Sequence, residues 1–424
     1  MTSGACEDFH RASAVSRRSL LAGLGITAGG SVLSTVFGDA MRQAVFADGA
    51  SDRILVVLSL RGGMDGLGMV VPHGDPAYFA ARPRLALPTE SLIGADAQFG
   101  LHPQFKPLEW LWNAGEMAAV HAAGMAQPNR SHFAAMELIE DADPASSLRQ
   151  GWVNRMVGLN VLSDPLEAVQ VNSAATPALL AGPSPSLASN QLDGLQLAGL
   201  DQPGDWGARR RRQLALQWSG SEAIDKAGLQ AVNVSDTLRV LQHQAAPGTA
   251  YPTSPESSGI SAALKDTARL IRANVGTQVV AIDYGSWDMH SNYGTVQKGR
   301  MQSMVRGLAL SLDAFMRDLG DRRSSVTVVT TSEFGRRVTE NGNSGLDHGW
   351  GNVMLVLGGG VRGGKYYGTW PGLAAGKLVD GDLQVTTDYR DVFAEVVAAS
   401  FPDRPLSKVF PGLSHRPLGL MPPI

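Results

Sequence analysis

The sequence predicts an α/β fold around a mostly parallel sheet. Three observations predict it: short runs of branched residues recur along the chain, helical periodicity separates most of them, and polar motifs stand where several of the runs end. Ile54–Leu60 is the first such run and leads into Arg61-Gly62-Gly63-Met64-Asp65-Gly66. Pro103–Asn113 reads as helical, Met117–His121 as a strand and Ser131–Asp141 as a helix. Val169–Asn172 and Gln278–Tyr284 are the next strands, the second ending at Gly285-Ser286-Trp287-Asp288-Met289-His290. A long amphipathic helix is expected over Thr295–Leu319, then a strand over Val326–Thr331 that ends at Ser332-Glu333-Phe334-Gly335-Arg336. Val353–Leu357 is a further strand and Tyr389–Ser400 the closing helix. Over residues 174–258 the composition turns to Ser, Pro, Gln, Ala and Gly, which reads as an insertion or cap. Its Arg209–Arg212 run is a candidate anion site, but a helix spreads four consecutive arginines around its circumference, and a solvated face is the preferred reading.

Ahead of the first strand stands Ser16-Arg17-Arg18-Ser19-Leu20-Leu21, the pattern of a twin-arginine export signal. The weakly apolar run Leu20–Phe37 that follows holds four glycines, a composition unsuited to a stable membrane span. Ala44-Val45-Phe46-Ala47 places short side chains where a signal peptidase reads. Residues 1–47 are therefore expected to be a signal peptide, and residues 48–424 a periplasmic or secreted protein without a membrane span. The twin-arginine translocase is the expected partner during export. That route carries folded proteins, often with a metal already bound, so a metal centre is an early expectation.

Of the 36 basic and 39 acidic residues, four and three lie in residues 1–47, leaving 32 against 36 and a net charge of −4. With no broad basic surface to release phosphate counterions, a nucleic-acid partner is not expected. The single cysteine, Cys6, falls within the signal, so the exported chain is expected to have neither a disulfide nor a thiolate metal site. An aromatic content of 6% offers no visible stacking platform for sugars or bases.

The chemistry-bearing residues gather after the expected strands. Asp65, Asp288, His290, Glu333, Asp347 and His348 all stand just past a strand or in the loop that follows it, and in parallel sheets those carboxyl ends form the binding crevice. Carboxylates and imidazoles together suit one or two divalent ions, with zinc, manganese, calcium and iron not distinguished. Other roles compete. Asp65 also reads as the N-cap of a helix starting at Gly66, and Glu333 as an ion-pair partner of Arg336. His290 and His348 each neighbour an Asp that can ligate beside them or orient their rings, which favours a site role. His102 and His121 lack such a neighbour and read as structural. In Asn129-Arg130-Ser131-His132-Phe133, Ser131 is a candidate nucleophile at a helix start or simply its cap, Arg130 a candidate clamp for a phosphate or sulfate oxygen, and His132 a candidate ligand or proton carrier.

The export signal, Arg61-Gly62-Gly63-Met64-Asp65-Gly66-Leu67, Phe99-Gly100-Leu101-His102-Pro103, Arg130-Ser131-His132-Phe133, Trp287-Asp288-Met289-His290, Ser332-Glu333-Phe334-Gly335-Arg336 and Asp347-His348-Gly349 occur in this order. In that order the chain, from about Ile54 to about Phe401, resembles the bacterial family called domain of unknown function 1501. The resemblance implies the alkaline phosphatase and sulfatase superfamily, hence a three-layer α/β sandwich with metal ligands at the strand ends. It implies that Asp65, Ser131, Asp288 with His290, and His348 occupy the superfamily's functional positions. The spacing departs from that pattern: one residue separates Asp288 from His290 where three are usual. Glu333-Phe334 stands where an Asp-His pair is expected, and Phe334 cannot bind a metal. Either Asp347-His348 substitutes for that pair or a second ion is absent. The expected function is a metal-dependent hydrolase of phosphate or sulfate esters acting on a small anionic ester. The alternatives are a non-catalytic envelope binding or assembly protein on the same fold, whose partner is an envelope component, and another exported metalloprotein.

Overall fold

The computed structural model describes residues 53–160, 164–195, 205–239, 241, 244 and 247–422. The expected signal peptide, its cleavage site and Cys6 lie outside the described residues. Among the described residues the main sheet has nine strands: β1 (Ile54–Ser59), β4 (Met117–Gly124), β5 (Ala168–Val171), β6 (Leu187–Ser189), β7 (Val279–Asp283), β8 (Val326–Thr331), β9 (Asn352–Gly358), β10 (Lys365–Tyr367) and β11 (Thr387–Asp388). The remaining two, β2 (Val70–Val71) and β3 (Gly100–Leu101), form a small antiparallel ribbon. The order is β10-β4-β9-β8-β1-β7-β5-β6, with β11 also paired to β4. All pairings in the main sheet are parallel except those of β9, which runs antiparallel to both β4 and β8. The connection from β8 to β9 has no crossover helix, so the chain turns back at the carboxyl edge.

Six helices of ten residues or more are described: α1 (His132–Asp141), α2 (Asp205–Gln217), α3 (Ala223–Leu238), α4 (Ser258–Ala273), α5 (Arg300–Asp318) and α6 (Tyr389–Ser400). The alternation of β1 shows how the layers arise. Val56 and Leu58 face one core with Leu264 and Ile271 of α4 and Leu308 and Phe315 of α5, while Leu55 and Val57 face another with Ile139 of α1 and Phe393 of α6. A strand buried on both faces reads as an unbroken apolar run, as Ile54–Ser59 does. The result is a three-layer sandwich.

Expected and observed elements agree in kind, with local differences. The helix expected from Thr295 starts only at Arg300, because Gly294 and Gly299 adopt φ of +102° and +125°, conformations closed to a helix. Pro103–Asn113 is a 3₁₀ turn over Pro103–Leu108 followed by an α-helix over Glu109–Asn113, since Pro107 has no N–H to give an α ladder. Residues 174–258 contribute β6 to the sheet edge, and Val234 and Leu238 join the core beside α4. In α2, Arg209 and Arg211 pair with Asp205 and Asp236, while Arg210 and Arg212 are exposed. His102 and His121 are buried, and burial pushes both imidazoles down to about 4. No described helix is long and apolar enough to cross a membrane.

A candidate metal centre at the carboxyl edge

Four loops meet at this edge. Those after β1, β4 and β7 leave the carboxyl ends of parallel strands, and the loop that joins β8 to β9 both leaves and returns there because β9 runs the other way. Their backbones touch. A Cβ on Gly62, whose φ is +113°, would stand 2.6 Å from the Asp288 nitrogen, so glycine permits the β1 and β7 loops to abut. Residues 335–337 pair with 347–350 as a short antiparallel extension, Arg337 N–H donating to the Asp347 carbonyl and Gly349 N–H to that of Gly335.

Arg336 ties these loops together. Its guanidinium is buried and donates to the carbonyls of Gly62, Gly63 and Leu346 and, at 2.6 Å, to Asp288 Oδ1. Burial alone would raise the Asp288 carboxyl, but the hydrogen bond and charge of Arg336, with His290 and His132 beyond, hold it below the usual carboxylate range. The ion pair expected between Glu333 and Arg336 is replaced by this one.

Three imidazoles surround Asp288, and each has its Nδ1 side occupied by an acceptor. His290 Nδ1 faces Asp347 Oδ1 at 2.9 Å, His348 Nδ1 the Arg130 carbonyl at 2.9 Å, and His132 Nδ1 Glu333 Oε1 at 2.7 Å. A carbonyl or carboxylate oxygen only accepts, so Nδ1 carries a proton, and in the neutral ring Nε2 presents the lone pair. Those lone pairs converge. His290 Nε2 lies 3.0 Å from His348 Nε2 and 3.1 Å from Asp288 Oδ1, and His348 Nε2 lies 3.4 Å from the same oxygen. His132 Nε2 is 3.6 Å from Asp288 Oδ2, buried and without a hydrogen-bond partner among the described residues. Burial depresses the His348 imidazole, with the charge of Arg336 adding to it against the pull of the Arg130 carbonyl, which keeps its nitrogen free. Lone pairs facing each other, and an orphaned buried nitrogen beside a carboxylate, fit a bound divalent cation. His132, Asp288 and His348 place their ligand atoms within 4.8 Å of one another.

The expected site residues therefore divide. Asp288, His290 and His348 come together, and His132, expected in the catalytic group, joins them. Asp347 and Glu333 stand behind the cluster as ring-orienting acceptors; Glu333 also accepts from Gly62 N–H at 2.8 Å and from the Ser332 hydroxyl at 3.1 Å. Asn341 donates to Asp347 Oδ1 at 3.0 Å, and no sequence signal singled it out. Asp65 is elsewhere engaged. Arg82 donates to both of its oxygens, at 2.6 and 2.9 Å, and the Tyr293 hydroxyl to Oδ2 at 2.6 Å, all three residues being buried. Nor does its side chain cap the short helix Gly66–Met69. The Arg130 guanidinium pairs with buried Asp382 while its carbonyl holds His348. Ser131 is exposed at the N-cap of α1, its hydroxyl making no capping bond, directly between Arg130 and His132. Phe334 is buried against the His132 and His348 rings, with centroids 4.8 and 4.7 Å away.

A family model described as a protein of unknown function (DUF1501) matches residues 109–397. No curated protein matches the chain. Among solved structures, the sulfatase PsFucS1 from Pseudoalteromonas sp. is similar with a TM-score of 0.33 and 11% identity, over 94% of this chain and 77% of that one. The lipoteichoic acid synthase LtaP from Listeria monocytogenes has a TM-score of 0.32 and 9% identity, over 80% and 76%. The C-terminal periplasmic domain of EcEptC from Escherichia coli, in complex with zinc, has a TM-score of 0.30 and 10% identity, over 73% and 74%.

Proposed function

The chain belongs to the DUF1501 family of unknown function, and we propose that it is an exported, metal-dependent hydrolase of phosphate or sulfate esters. The observation that carries this reading is the convergence of three imidazole Nε2 atoms on Asp288 beside an exposed serine at a helix start. Asp288, His290, His348 and His132 would hold the ion, which when bound supplies Lewis-acid stabilisation of the charge that develops on the transferred group. The residues of the chain do the rest. Ser131 attacks phosphorus or sulfur, the ester oxygen leaves, and the proton lost by the serine ends on the leaving alcohol. Water then releases phosphate or sulfate and restores the hydroxyl. The first amides of α1 and its dipole favour the anion at that position, while the Arg130 guanidinium is paired with Asp382 and its carbonyl orients His348. Glu333 and Asp347 fix the His132 and His290 rings.

Export through the twin-arginine translocase, signalled by Arg17-Arg18, would place this activity in the periplasm or outside the cell, with a small anionic ester as substrate. One observation favours the non-catalytic reading: Asp65, in the position the superfamily uses for a ligand, is committed to Arg82. Assay of purified, metal-loaded protein against a panel of activated aryl phosphates and sulfates separates the two. Turnover that a chelator removes and the ion restores supports the hydrolase; binding of an ion without turnover of any ester overturns it in favour of an envelope binding or assembly role.

A further inference from the structure

We propose that this centre takes a single ion of the zinc and cobalt class, held by His132, His290, His348 and Asp288, and that the Arg336 guanidinium supplies the fixed positive charge that excludes a second ion. The inference rests on the metal centre proposed above and not on its catalysis.

The donor set decides the class. Four donors bound about 2 Å from one ion in a tetrahedron stand about 3.3 Å apart. His290 and His348 Nε2 lie 3.0 Å apart and 3.1 and 3.4 Å from Asp288 Oδ1, close to that value, while His132 Nε2 stands 3.6 Å from the other carboxylate oxygen and has to move for the set to close around one ion. Three imidazole nitrogens and one carboxylate suit borderline ions that accept four ligands. Calcium and magnesium prefer shells built of oxygen, and two of the neighbouring carboxylates have both oxygens engaged. Glu333 spends Oε1 on the Gly62 amide and His132 and Oε2 on Ser332, and Asp65 spends both oxygens on Arg82 and Tyr293.

The same neighbourhood closes the place for a second ion. Arg336 cannot lose its proton, is held by three loop carbonyls, and already donates to Asp288 Oδ1. A second dication bridging through that carboxylate would stand against a buried cation that cannot turn away. On the other side, the Phe334 ring fills the space against His132 and His348 with carbon. Arg336 is thus a positioning residue: it fixes Asp288 and compensates its charge without contact with the ion.

The experiment uses the full chain, stripped with a chelator and titrated with zinc or cobalt alone. Native mass spectrometry and calorimetry should give one ion per chain, and cobalt the intense visible absorption of a four-coordinate site. Neither calcium nor magnesium at about a hundredfold excess should displace it. His132→Gln and His348→Gln should each weaken zinc binding by more than about a hundredfold while circular dichroism remains that of the folded protein. Two ions per chain, or binding that calcium displaces, overturns the inference and leaves a metal-dependent hydrolase standing. One ion per chain in a protein that turns over no ester upholds it and removes the hydrolase. Zinc binding unchanged in both His variants overturns the assigned ligands.

Discussion

His290 Nε2 and His348 Nε2 face each other across 3.0 Å, although each ring has already given its Nδ1 proton to an oxygen, of Asp347 and of Arg130 respectively. Two nitrogens held that close call for a cation between them, a proton or a metal ion, and the acceptors behind the rings hold both rings in that orientation.

The acceptor behind His290 should therefore matter nearly as much as the ligand. Asp347→Asn replaces a carboxylate with an amide able to present a donor to Nδ1, and zinc affinity should fall about 10- to 100-fold, as for other orienting partners. Competition against a chromophoric chelator measures this, and an unchanged affinity would remove Asp347 from the site.

Ser131→Ala should abolish turnover of an activated aryl phosphate or sulfate and leave ion content unchanged. Because the Ser131 side chain makes no capping bond, the variant should also melt with the wild type instead of losing the ~1 kcal/mol expected for a lost N-cap. Full activity per folded molecule would eliminate the serine as nucleophile.

Asp65 should behave as half of a buried ion pair. Asp65→Ala leaves the Arg82 guanidinium buried without its partner and should cost about 3–5 kcal/mol in urea unfolding, whereas Asp65→Asn with Arg82→Met should recover much of that loss. The folded fraction should keep its ion. A stable Asp65→Ala protein that has lost the ion would show Asp65 to be a ligand.

Acid should destabilise the fold through His102 and His121. Their imidazoles titrate near 4 in the folded protein and near 6.5 in the unfolded chain, so between those values the unfolded state binds more protons. Their stabilising contribution is complete above pH 6.5 and is lost as pH falls toward 4, by about 1.4 kcal/mol per pH unit for each. Glu167 acts in the opposite sense: burial pushes its carboxyl up to about 7, so its contribution declines as pH rises from about 4.5. The difference between wild type and His102→Gln/His121→Gln in urea midpoints from pH 7 to 4.5 isolates the histidines; parallel curves would refute the assignment.

Replacing Arg17 and Arg18 by Lys should retain the precursor inside the cell, since charge is preserved and only the guanidinium pair is lost. The same mature product in the periplasm would rule out this route.

The strands were legible because the sheet selects β-branched residues, as in Val326–Thr331, which the structure reproduces residue for residue. Asp288, His290 and His348 were legible because topology sends strand ends to one edge. The rest depends on geometry that spacing does not carry. Nothing near Asp65 in sequence announces that Arg82, seventeen positions on, will take both its oxygens, nor that Tyr293 will join them. Glu333 carries the right chemistry for a ligand, and only the placement of the Gly62 amide and the His132 ring turns it into an orienting group. The direction of β9 was equally hidden, yet the missing crossover helix between Thr331 and Val353 was a signal that could have found it.

That reversal at β9 has a consequence for how the centre assembles. Arg336 and His348 are bridged across a loop confined to residues 337–347, so one local turn brings the fixed cation, one imidazole and the Asp347 carboxylate into register at small cost in chain entropy. The loops after β1 and β7 must instead be gathered across more than 200 residues of intervening chain, as the contact between Tyr293 and Asp65 at a separation of 228 measures. One half of the centre is therefore closed by a local turn, while the other depends on contacts between segments far apart in the chain.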